Sequence, residues 1–146
     1  MTANGWVVAL VVAMAAILGA GYLLFTAPVD GSNSAGRSLY VDNCAGCHGV
    51  NLEGQPNWMK RKADGRLPAP PHDESGHTWH HSDKQLFTIV KFGLGAIAPG
   101  YETDMPAFED VISDDEITSI LGYIKSTWPE RALTYQAERS KADEQG

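Results

Sequence analysis

The sequence predicts an all-α domain set behind an N-terminal transmembrane helix. Three observations predict it. Residues Trp6 to Phe25 form an unbroken, uncharged and almost wholly apolar run of 20 residues, close to the roughly 20 that a helix needs to cross the hydrocarbon core. Two later segments carry apolar side chains at helical spacing behind serine capping signals. No segment sustains the period-two alternation of a half-buried strand.

The run 6–25 has Trp6 and Tyr22 near its ends, where amphipathic rings favour the interface. A cleaved signal peptide is the rival reading. Its apolar part is usually about 7–15 residues long and follows a basic stretch. Residues 1–5 hold no Lys or Arg, and Pro28 follows the small residue Ala27, a poor context for cleavage. Length favours an uncleaved anchor. Within it, Ala15 and Gly19 are four apart, as are Ala16 and Ala20, a spacing that lets helices pack closely. Residues 26–34, rich in Pro, Gly, Ser and Asn, read as a linker. Nine flexible residues span about 15–18 Å.

The first helix of the following domain is expected over about 35–45, with Ser34 as N-cap. It leads into Cys44-Ala45-Gly46-Cys47-His48, the only cysteines of the 146-residue chain. This C-x-x-C-H pattern is how haem is attached covalently. Two thiols three apart can each add to one vinyl group, and the next histidine can donate an imidazole nitrogen to the iron. A redox dithiol would sit in a strand–helix unit, and zinc would need two further ligands close by. Covalent attachment of this kind occurs outside the bacterial inner membrane, so the domain is expected on the periplasmic side of that membrane.

Residues 49–81 carry Pro56, Pro68, Pro70, Pro71, Gly54, Gly65 and Gly76 and read as a long irregular loop. Such a loop needs a surface to pack on, and a haem supplies one. It also holds His72, His77, His80 and His81. His80 and His81 are adjacent and face one metal poorly, so packing against haem propionates or a partner surface is preferred to a second metal site. Trp79, with an indole N–H that needs a partner when buried, and Arg66 or Arg61 are candidates for the propionates. A helix follows over 83–92, with Ser82 and Gln85 as capping box and Gly93 as its stop. Leu86, Ile89 and Val90 form its apolar face.

Met105 lies in Thr103-Asp104-Met105-Pro106, between two helices. Pro106 pushes it toward extended backbone, which suits a ligand that must hold a fixed approach to iron. Met105 is the expected sixth ligand and Met59 a distant second. The last helix is expected over 114–127, capped by Ser113 and Glu116, with Ile117, Ile120, Leu121 and Ile124 at helical spacing. Residues 129–146 form a charged tail, open to partial helix, to which no fold is assigned.

The net charge of −7 argues against nucleic-acid binding. Lys60, Arg61, Lys62 and Arg66 cluster, and seven acids with no base fall between Glu102 and Glu116. These are solvated faces or a dipole that orients a redox partner.

Residues 35–128 resemble the class I cytochromes c. Gly36 and Tyr40 before the attachment motif, Cys44, Cys47, His48 and Gly49, Met105-Pro106, and the closing helix with Ile120, Leu121 and Tyr123 carry the resemblance. It implies the cytochrome c fold, with three or more helices around one haem c. The first and last helices would cross at Gly36 with Tyr40 and Tyr123 alongside. A proline carbonyl, of Pro68, Pro70 or Pro71, would accept the N–H of His48. With an uncleaved anchor the chain is similar to membrane-tethered bacterial cytochromes c. The implied task is carriage of single electrons through a His48/Met105-ligated iron, without bond chemistry, between membrane redox complexes of the respiratory or photosynthetic kind. A cytochrome bc-type complex would be the donor, and a terminal oxidase or reaction centre the acceptor. A fixed haem subunit of a larger oxidoreductase is the alternative. A sensor or peroxidase with a labile sixth ligand fits Met105-Pro106 less well.

Overall fold

The computed structural model describes residues 31–145. The expected transmembrane run 6–25 and the first part of the linker lie outside the described residues. Among the described residues no helix is long and apolar enough to cross a membrane, and no strand occurs.

Helix α1 is Gly31–Asn43, and a single turn, α2, follows at Ala45–His48. The expected start at Ser34 does not hold: the helix begins earlier and Ser34 lies within it. Glycine, serine and asparagine favour a helix weakly but do not break one. No proline falls between Pro28 and Pro56 to force a boundary. The Ser34 carbonyl accepts from Ser38 Oγ at 3.2 Å, one turn on.

Helix α3 is Asp83–Phe92 and α4 is Asp114–Ser126. Both begin where the serines place them. Ser82 Oγ accepts from the Gln85 N–H at 3.1 Å. Ser113 and Glu116 form a reciprocal capping box, with the Ser113 N–H donating to Glu116 Oε2 at 2.8 Å. Gly93 ends α3. The core lies among Tyr40, Leu52, Leu86, Ile117, Ile120, Leu121, Ile124 and Trp128. It joins α1, α3 and α4, the elements whose apolar residues recur at helical spacing.

Gly36 is the contact point of α1 with α4. A Cβ there would stand 2.2 Å from the Ser119 carbonyl oxygen and 3.0 Å from Tyr123 Cβ, so only a residue without a side chain allows this approach. One turn on, the Tyr40 and Tyr123 rings meet at 5.5 Å. The helix crossing expected from the resemblance is therefore present.

The tail, read from the sequence as partly helical at most, forms a full fifth helix, α5, at Glu130–Gln145. Ala132 and Gln136 are its buried residues, four apart. Gln136 Nε2 donates to Asp83 Oδ1 at 2.9 Å and Ser140 Oγ at 3.0 Å. Ser82 Oγ donates to Asp143 Oδ2 at 2.6 Å. The helix thus docks through a satisfied polar network at the start of α3, and no apolar stripe announces it.

Candidate functional site

The attachment motif occupies one helical turn. The N–H groups of Cys47 and His48 both donate to the Cys44 carbonyl, at 3.1 and 3.0 Å. A turn of this kind carries residues three apart on one face, as two thiols bonding one porphyrin require. Cys44 is half-buried and Cys47 exposed. Burial raises the Cys44 thiol to about 11, with the neighbouring Cys47 adding to the effect. Tyr40 Oη donates to the Gly49 carbonyl at 2.7 Å, tying the end of the motif to α1.

His48 is buried, and its Nδ1 lies 2.9 Å from the Pro70 carbonyl oxygen. A carbonyl only accepts, so Nδ1 carries the proton and Nε2 keeps its lone pair. Burial lowers the His48 pKa, outweighing the opposing effect of the Pro70 bond. A neutral imidazole with Nε2 free is the form that binds iron. Of the three prolines left open by the sequence, Pro70 is the one that holds this ring.

Met105 is half-buried, and Met59 is 77% exposed. The Met105 loop is fastened on both sides. Asp104 pairs with Lys62 and, at 2.8 Å, with Arg66. These two hydrogen bonds hold the Asp104 carboxyl below its ordinary value. The Phe108 N–H donates to the Val90 and Lys91 carbonyls at the end of α3. Two members of the basic cluster are therefore joined to the acidic stretch rather than opposed to it, a link that sequence separation concealed.

Among the described residues, two buried side-chain atoms lack a hydrogen-bond partner, Arg66 Nε and Trp79 Nε1. Unpaired buried donors are costly. Both belong to residues expected to serve haem propionates, whose carboxylates would accept from them. Together with the Cys44–Cys47 turn and the neutral His48, this donor set fits a haem. Helix α5 backs Trp79, with the Tyr135 ring at 5.4 Å and the Arg131 guanidinium over the indole at 5.9 Å.

The four loop histidines do not converge on one point, although His77 and His81 meet edge-on at 5.5 Å. His72 stacks on His48 at 4.0 Å. His77 stacks on Trp58 at 5.5 Å. His80 meets Trp79 edge-on at 3.9 Å, and His81 Nδ1 lies 3.3 Å from Gln85 Oε1. Among the described residues no group of three His, Cys, Asp or Glu could hold a metal ion.

The profile of the family described as cytochrome c oxidase, cbb3-type, subunit III matches residues 31–124. A protein of Stutzerimonas stutzeri described as a nitrite reductase is 30% identical over 99 residues, 64% of this chain and 15% of that protein. The chain thus spans about 15% of the length of this relative. No solved structure matches.

Proposed function

The chain belongs to the c-type cytochrome family of cbb3-type oxidase subunit III, and on that premise we propose that it is a membrane-anchored, mono-haem electron carrier with His48 and Met105 as iron ligands. The family carries covalently bound haem c, and Cys44 and Cys47 have the spacing to hold it. The haem, when bound, supplies a one-electron iron couple.

The chain's own residues do the rest. Cys44 and Cys47 would tie the porphyrin to the turn. His48 would bind the iron through Nε2, in the tautomer that Pro70 selects. The observation that carries the proposal is this His48–Pro70 bond, because it prepares Nε2 for a metal directly beside two correctly spaced thiols. Met105 would supply the second iron ligand, from a loop pinned by Asp104 and Phe108. With both ligands in place oxygen and peroxide would find no site, which leaves electron transfer as the activity. Arg66 would neutralise a propionate and Trp79 would donate its indole N–H to one, and the apolar core keeps water away.

Residues 6–25 would anchor the domain on the periplasmic face of a bacterial inner membrane, as their length supports. Partners would be membrane redox complexes, a cytochrome bc-type donor and an oxidase or reaction-centre acceptor, met through small and short-lived contacts. A second reading, a fixed haem subunit of a larger oxidoreductase, is favoured by the family's description as an oxidase subunit and by the relative in which the match is 15% of a longer protein. Purification from native membranes in mild detergent separates the two: a stable complex supports the fixed subunit.

Truncation tests the anchor. A chain beginning at Pro28 should keep the spectrum and potential of the full chain. It should need much higher concentration for the same electron flux, because tethering sets the local concentration. Equal flux at low concentration would count against the tether. A native soluble protein beginning near Pro28 would show the run to be a cleaved signal.

A further inference from the structure

The ring of His72 lies flat on the ring of His48, with centroids 4.0 Å and planes 22° apart. Two residues earlier, the same segment supplies the Pro70 carbonyl that holds His48 Nδ1. His48 therefore meets this segment twice, once at its edge and once on its face. The two contacts restrain different motions. A single hydrogen bond fixes the ring's edge but leaves the ring able to swing about the bond. A flat neighbour at van der Waals distance blocks that swing.

His72 is itself held on every side. Its Nδ1 pairs with Thr78 Oγ1 at 2.8 Å. Its N–H donates to the Leu52 carbonyl at 2.8 Å, and its own carbonyl accepts from Trp128 Nε1 at 2.7 Å. Tyr40 sets its edge against the His72 ring at 6.3 Å. Leu52 holds φ at +68°, a left-handed conformation that costs a non-glycine residue energy and persists only where the surroundings demand it. Gly76 backs onto the segment so closely that a Cβ would stand 2.1 Å from the Pro71 carbonyl oxygen.

The geometry points to His72 as a positioning residue for the haem iron, one that sets the plane of the His48 imidazole. This rests on His48 being the proximal ligand. The plane matters electronically. An imidazole π orbital overlaps the iron d orbitals according to the ring's orientation, so rotating the ring changes their splitting.

The test is electron paramagnetic resonance of the full ferric chain, with the reduction potential measured alongside. His72→Ala removes the ring. His72→Asn keeps a partner for Thr78 but has no ring, and His72→Phe keeps a flat ring without the hydrogen bond. The expected result is a spread between the extreme g values that changes by more than the linewidth in His72→Ala and His72→Asn. The potential should move in the same two variants, and His72→Phe should restore both. An alanine variant identical to the parent would overturn the inference. So would restoration by asparagine and not by phenylalanine, which would make the Thr78 bond the operative contact. If the alanine variant fails to fold, the asparagine and phenylalanine variants still decide. A parent protein without an imidazole-ligated low-spin signal would overturn the ligand assignment beneath the inference, and it is seen before any variant is made.

Discussion

Replacing Gly36 by alanine should weaken the fold, and the same replacement at Gly122 should strengthen it. In α1 the new Cβ would meet the Ser119 oxygen at 2.2 Å, the Ser119 carbonyl carbon at 2.9 Å and Tyr123 Cβ at 3.0 Å. Carbon and oxygen make close contact at about 3.3 Å or beyond, so α1 and α4 would have to part by about 1 Å. Neither obstacle can rotate away, because both are fixed to the α4 backbone. Overpacking costs about 1–3 kcal/mol, and an immovable partner puts this site at the upper end. Alanine returns about 1 kcal/mol of helix propensity. The net loss is about 2 kcal/mol, and at about 4 °C per kcal/mol for a domain of this size Tm should fall by about 8 °C. At Gly122, within α4, a Cβ meets nothing within 4 Å. Propensity acts there alone, and stability should rise by about 0.5–1 kcal/mol. Thermal unfolding of the full chain in detergent, followed by circular dichroism, reads both. A Gly36→Ala protein as stable as the parent would refute the helix contact.

Met105→Ala should open the sixth coordination position, lower the potential and let carbon monoxide bind ferrous iron, whereas Met59→Ala, at an exposed position, should do none of these; visible spectra with and without the gas decide. Trp79→Phe should leave the fold intact yet lower the potential, since a propionate that loses its donor favours ferric iron; a redox titration checks the sign. Burial pushes the Asp83 carboxyl up, but Lys125, Gln136 and Ser140 outweigh it and hold its pKa below the ordinary 3.8. A lowered folded value means stability that is present above pH 3.8 and lost as pH falls through the folded pKa. Asp83→Asn should therefore cost under about 1 kcal/mol at neutral pH and converge with the parent in strong acid, as denaturant titrations at several pH values would show.

The haem motif and the serine-capped helices were legible in the sequence because each rests on local chemistry, and the α1–α4 crossing was legible through the family resemblance. C-x-x-C-H has little other use. Ser113 and Glu116 satisfy one another within a turn. Gly36 and Tyr40 lie a turn apart on one face. What escaped depends on contacts distant in the chain. Three prolines stand within four positions, and only tertiary structure brings Pro70, rather than Pro68 or Pro71, to His48. Helix α5 hides because its deepest side chains are the small Ala132 and the polar Gln136, so no apolar period marks it. The link from Asp104 to Lys62 and Arg66 joins residues about forty positions apart. The stack of His72 on His48 had one cue, a histidine beside the candidate prolines, and read alone that cue suggested loop packing or a metal site.

A spectroelectrochemical titration of the full chain under carbon monoxide tests the central claim most directly. The account predicts a reversible one-electron transition whose potential ignores the gas, with a weak red sulfur-to-iron band in the ferric form that vanishes on reduction. It also predicts that the haem stays on the polypeptide after acid–acetone extraction of the recovered sample. A potential that shifts with carbon monoxide, or no sulfur-to-iron band, would show an open or differently ligated iron and contradict His48/Met105 ligation.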